Sequence, residues 1–181
     1  MSYPDTVEIA GAEYRLNTDY TVALACFRCI GDPDISEVER AYGVIGLLYA
    51  DPPPDEHLNE ALSLAVKYLQ VGSDREPRYR RPDMDFDADE MYIKASFLSD
   101  YKIDLDGVDM HWWKFSTLLQ GLTDDCILNR VRDLRNYDLS TVKDAKSRQK
   151  ITQAQRDVAL PARMSEEEQN IADDFFSQLA E

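Results

Sequence analysis

From Tyr20 onward the apolar residues of this chain recur every three or four positions, which restricts the fold to helices that bury one stripe each. Tyr20, Ala23, Leu24, Phe27 and Ile30 make the first stripe, and Gly31 ends it. Ser36 and Glu39 have the spacing of a capping box and introduce the next run. Ile35, Val38, Ala41, Tyr42, Ile45, Leu48 and Tyr49 supply its apolar face, which Pro52, Pro53 and Pro54 interrupt. Leu58, Ala61, Leu62, Ala65 and Leu69 resume the period as far as Gly72.

Only the start of the chain departs from this period. Residues 7–16, "VEIAGAEYRL", alternate around Ala10-Gly11 and predict a short hairpin. Two strands alone are marginal, so the hairpin must pack on helices. Residues 73–86 are charged and proline-bearing and read as a loop. Asp87 and Glu90 are candidate caps for a helix with the stripe Met91, Tyr92, Ala95 and Leu98. "DLDG" at 104–107 is a turn. Beyond it Trp112, Phe115, Leu118, Leu119 and Leu122 predict one helix, and Ile127, Arg130, Val131 and Leu134 another. Between Ser140 and Leu160 the stripe thins to Val142, Ala145, Ile151, Ala154 and Val158. Such a helix gains little from packing on one body and is free to protrude or to pair with another chain. Ser165 and Glu168 introduce a last acidic helix with Ile171, Ala172, Phe175 and Leu179. Strands and helices do not alternate, so a parallel sheet is not expected. The reading is a mainly α fold: a helical body over 1–137, with the hairpin at 7–16, and a C-terminal helical extension over 138–181.

Charge narrows the function. The 181 residues carry a formal net charge of −15. Such a field repels nucleic acid, although it would suit an inhibitor that imitates DNA. Residues 1–128 hold 11 Lys and Arg against 25 Asp and Glu, and residues 164–181 hold none against 6. Between them, residues 129–163 hold 9 against 4. This basic stretch argues against a DNA mimic and suits solvated helix faces or an acidic partner. No run approaches the ~20 apolar residues that span a bilayer. Three cysteines without a secretory signal suggest reduced thiols.

Motifs for chemistry are weak. Cys26 and Cys29 in "CFRC" fall inside a predicted helix, where they read as small core residues. Asp83, Asp85, Asp87 and Asp89 alternate as in a calcium loop, but Ala88 and Lys94 stand where that loop needs Gly and Glu. Capping and solvation explain them better. Arg75, Arg78, Arg80 and Arg81 surround Tyr79, yet the acidic run that follows argues for local neutralisation rather than nucleic-acid binding. His57 sits among acidic residues at a helix start and looks exposed, and His111 has no evident nucleophile or carboxylate partner. No catalytic, cofactor or metal site is expected.

"DMHWWKF" at 109–115 is the densest aromatic stretch. Neighbouring tryptophans on a helix point ~100° apart. Trp112 is expected in the core with Phe115, Phe27 and Leu48; Trp113 is either core or a partner contact.

Four stretches carry a resemblance: "DYTVALACFRCIGDPDIS", "LLYADPPPDEHLNEALSLAVKYL", "DFDADEMYIKASFLSDYKIDLDGVDMHWWKFSTLLQGLTDD" and "YDLSTVKDAKSRQKITQAQRDVALP". Together they resemble the bacteriophage gene-product-fifteen family, found among tail genes of long-tailed phages and prophages of Gram-positive bacteria. The resemblance implies a non-catalytic tail assembly chaperone in the host bacterial cytoplasm. Its partners would be the tape-measure protein or tail-tube subunits; the thin-striped helix leaves pairing with a second copy open, and charge and hydropathy speak against nucleic acid and membrane. A structural virion connector is the alternative. Candidate partner-binding residues are Trp113, Arg148, Ile151, Phe175 and Leu179.

Overall fold

The computed structural model describes residues 3–72 and 83–161. It opens with strands β1 (Thr6–Ile9) and β2 (Ala12–Arg15). The α-helices that follow among the described residues are α1 (Tyr20–Ile30), α2 (Glu37–Leu48), α3 (Leu58–Leu69), α4 (Glu90–Tyr101), α5 (Trp112–Gln120), α6 (Ile127–Asn136) and α7 (Ala145–Asp157). The mainly α fold with an N-terminal hairpin is the one the periodicity predicts. The described residues group into two compact units, 3–72 with 109–117 and 83–108 with 118–161.

In the first unit β1 and β2 pair antiparallel, with Val7 opposite Tyr14 and Ile9 opposite Ala12. The turn places Ala10 at φ 49° and Gly11 at φ 80°. Two left-handed residues in succession match the twist of the strands, which is why the hairpin closes so tightly. Ile9 is fully buried. After the hairpin, Asn17 covers the end of α2: its backbone N–H donates to Leu48 O at 2.7 Å and its side-chain amide to Leu47 O at 2.9 Å. Those carbonyls have no partner inside the helix.

The capping box of α2 forms as expected, with Glu39 N–H donating to Ser36 Oγ and Ser36 N–H to Glu39 Oε2. Its apolar face is rotated from the expected one. Val38 and Tyr42 are exposed, whereas Arg40 is buried with Ala41, Val44, Ile45 and Leu48. The Arg40 guanidinium donates to Asp32 O at 2.6 Å and Ile35 O at 3.1 Å, so the buried charge closes the α1–α2 connection. The two helices approach closely at Gly43, where a Cβ would stand 2.5 Å from Cys29 Sγ. Cys26 is fully buried and Cys29 half-buried. Burial pushes the Cys26 thiol up to about 12. Tyr49 is buried at the end of α2 and donates to Ala61 O of α3 at 2.8 Å.

In the second unit Ile93, Ser96 and Phe97 of α4 are buried with Leu105, Leu122, Leu128 and Val131. This corrects the expected stripe: Met91 and Leu98 are 74% and 53% exposed. The helix is apolar on opposite sides, so periodicity allowed two phases. Packing chose the side with Phe97, whose ring removes more area from water. Ser96 Oγ accepts from Leu128 N–H at 3.1 Å and so caps the start of α6. Leu128 replaces Ile127, which is exposed, in the expected stripe of α6. The cap expected from Asp87 or Glu90 does not form. Asp85 Oδ1 instead accepts from Asp87 N–H and Ala88 N–H, at 2.8 and 2.7 Å.

Asp89 is neither capping nor solvated. It is fully buried and faces Arg135, whose Nη1 and Nη2 donate to Oδ2 and Oδ1 at 2.7 and 2.6 Å. Arg135 also donates to Asp83 O at 2.9 Å and, through Nε, to Val158 O at 2.7 Å. One guanidinium thereby ties the loop before α4 to the end of α7.

The thin-striped region 140–160 is broken into a 3-10 turn at Leu139–Thr141 and α7. No residue of α7 is buried. Gln155 holds it to α6 by donating to Leu134 O at 3.0 Å and Tyr137 O at 2.9 Å. The acidic segment expected to form a helix at 165–179 lies outside the described residues.

Candidate functional site

The stretch 109–115 is built around Asp19. As the N-cap of α1, Asp19 accepts through Oδ1 from Thr21 N–H at 2.9 Å, and through Oδ2 from Met110 N–H at 3.0 Å. Tyr20 N–H donates to Met110 O at 2.8 Å and Trp112 N–H to Thr18 O at 2.7 Å. Two segments about 90 positions apart are thus laid antiparallel, and α1 and α5 start side by side.

His111 is the residue before α5. Its Nδ1 accepts from Trp113 N–H at 3.0 Å, a capping role. Its Nε2 lies 3.0 Å from Pro4 O, which can only accept, so Nε2 carries the proton. Tyr3 stacks on the ring at 4.9 Å. Both nitrogens are committed to backbone partners, an arrangement that orients the start of a helix.

The two tryptophans converge on one helix end. Trp112 is buried, with Phe27 edge-on at 5.5 Å and Phe115 stacked at 5.9 Å. Its Nε1 donates to Leu69 O at 3.0 Å. Trp113 donates through Nε1 to Tyr68 O at 2.9 Å. Consecutive indoles therefore donate to consecutive carbonyls at the C-terminus of α3, where Tyr68 O also accepts from Val71 N–H at 3.0 Å. Trp113 is half-buried, and its ring lies over Gly72 at φ 68°, where a Cβ would be 2.9 Å from Cη2. Tyr68, beside it, is buried with its hydroxyl unpartnered, and burial raises its pKa.

Of the other named residues, Phe27 and Phe115 belong to this cluster through Trp112, and the rest lie outside it. Phe115 and Leu48 are buried and Phe27 is half-buried. Arg148 is exposed on α7 and donates to Val142 O through Nε at 3.2 Å and Nη2 at 2.6 Å. Arg148, Gln149, Thr152, Gln153 and Arg156 line a shallow depression of about 410 Å³ along α7. Ile151 is half-buried. Phe175 and Leu179 lie outside the described residues. His57 is half-buried, 3.6 Å from Glu56, rather than fully exposed.

The Asp19–Met110 link has no local signature in the sequence, and neither has the Asp89–Arg135 pair. Gly72, whose place after the last periodic residue marks a helix stop, is the sequence clue to the seat of Trp113. Among the described residues, no group of three or more His, Cys, Asp or Glu is placed to hold a metal ion. No helix among them is long and apolar enough to cross a membrane.

The family model described as Bacteriophage Gp15 protein matches residues 2–160. No curated protein and no solved structure matches the chain.

Proposed function

The chain belongs to the Bacteriophage Gp15 protein family, and from that premise we propose that it is a non-catalytic tail assembly chaperone. In this role it holds the tape-measure protein, or tail-tube subunits, soluble in the host cytoplasm until the tube polymerises. Nucleic acid and membrane take no part.

One observation carries the reading: α7 is a well-formed, basic helix that buries none of its residues. Short helices are marginal in water unless a face packs on something. Its polar ties to α6 keep it in place while Arg148, Gln149, Thr152 and Arg156 face outward. A helix presented in this way suits docking along a long helical client. The acidic charge of the remaining chain favours solubility of the complex. His111, the histidine in the richest setting, serves as a cap, which agrees with a role that needs no chemistry.

Mass spectrometry tests the reading against a structural one. A chaperone is present in lysates of phage-producing cells, with tape-measure or tube protein on the same affinity column, and absent from purified particles. Stoichiometric presence in mature particles would make it a connector instead.

A further inference from the structure

We infer that the outer face of α4 pairs antiparallel with the same face of a second copy of this chain. The inference does not depend on the chaperone reading.

A helix with apolar stripes on two opposite sides can bury only one of them against its own body. Here α4 buries Ile93 and Phe97 on one side, while Met91 and Leu98 stay 74% and 53% exposed on the other, with Ala95 exposed between them. At ~100° per residue these three fall on one narrow stripe, at positions i, i+4 and i+7. No other described helix leaves a large apolar side chain as exposed as Met91.

The stripe is complementary to itself. In an antiparallel pair whose two-fold axis passes between Lys94 and Ala95, Met91 meets Leu98 of the second copy and Leu98 meets its Met91. Small Ala95 near the axis lets the helices approach. The same register places exposed Asp87, in the turn before α4, near exposed Lys102, just beyond its end, whose ammonium also donates to Ser99 O at 2.7 Å. Opposite charges thus meet at both ends of the seam, and the interface is isologous, as a closed dimer requires. Lys94, at the edge of the stripe, is held between Glu90 and Asp106, each 2.6 Å from its ammonium, so each copy carries one surplus carboxylate beside the seam and added salt should favour the pairing. Helices this short bury less than the ~800 Å² per partner of a standard interface, so the pairing is reversible.

Sedimentation of the full chain, from micromolar to near-millimolar concentration, reads the pairing. A monomer–dimer equilibrium is expected. Leu98→Asp should weaken it by roughly tenfold or more, since like charges then flank an apolar seam. Ala95→Glu provides a second disruption at an exposed position, with circular dichroism to verify folding. Asp87→Lys and Lys102→Asp should each weaken the dimer, and the two together should restore it. On mild oxidation, Met91→Cys mixed with Leu98→Cys should cross-link above the wild-type background, whereas Leu98→Cys alone should not. A chain that stays monomeric throughout overturns the inference, as does self-association that Leu98→Asp leaves unchanged. Failure of the double charge swap to restore the dimer overturns the register. If Leu98→Asp abolishes capture of a tail protein while the chain is monomeric with or without it, the face belongs to that partner and self-pairing is wrong.

Discussion

Gly72 lies directly beneath the Trp113 indole, so close that a Cβ there would approach Cη2 to 2.9 Å. The backbone at Gly72 is also left-handed, at φ 68°. Gly72→Ala therefore combines a strained backbone with a displaced ring and should cost about 2–4 kcal/mol. Urea unfolding followed by tryptophan fluorescence measures it. A midpoint equal to that of the parent would remove Trp113 from its seat over this residue.

The two tryptophans should differ in energy although they make the same kind of hydrogen bond. Trp112→Ala empties a buried site and should cost ~3–5 kcal/mol. Trp113→Phe keeps most of the ring and loses one indole donor, so about 0.5–1.5 kcal/mol is expected. Equal losses from the two substitutions would contradict the half-buried position of Trp113.

At the α1–α2 crossing, Gly43→Ala should destabilise by ~1–3 kcal/mol, because the added methyl meets Cys29 Sγ. Removing the sulfur relieves the clash. The double variant Gly43→Ala with Cys29→Ala should lose less than the sum of the two single variants. Additive losses in a double-mutant cycle would place the strain elsewhere.

Much of the fold was legible in the sequence because its signals are local. The capping box at Ser36 and Glu39, the stop at Gly31 and the proline break after α2 each act within one helical turn. The inward phase of α4 was not legible. Met91 and Leu98 have the same helical spacing as a buried stripe, and only the packing of Phe97 decides between the two sides. Asp89 shows the same limit from another direction. In the row Asp83, Asp85, Asp87 and Asp89 it looks like one more solvated carboxylate, and its partner Arg135 is 46 positions away. For the aromatic site, the helix and its core tryptophan could be read from "HWWKF". That both indoles close the end of α3 depends on the long-range pairing of Asp19 with Met110.

The Asp89–Arg135 pair gives a prediction of its own. Asp89→Ala leaves a largely buried guanidinium without its carboxylate and should cost about 3–5 kcal/mol. Arg135 also holds Val158 O, so hydrogen exchange should quicken at the end of α7 as well as at the start of α4. Loosening confined to α4 would show that the guanidinium does not couple the two.

Stability should fall in acid through the helix caps. Ser147 hydrogen bonds lower the Asp144 pKa, and Ser36 bonds do the same for Glu39. A carboxylate whose folded pKa lies below its unfolded one contributes stability above the unfolded value, and that contribution is lost as pH falls through the folded one. Helix content should hold steady through neutral pH and decline only below ~4. Asp144→Asn should flatten that decline in hydrogen exchange measured on α7; an unchanged profile would mean that this cap does not drive it.

The chaperone role is tested most directly by co-expressing the full chain with a tape-measure fragment that is insoluble alone. The fragment is expected to become soluble and to co-elute with the chain, and Arg148→Glu with Arg156→Glu should weaken the complex without changing the fold. A fragment that stays insoluble and unbound beside well-folded chain would contradict the account.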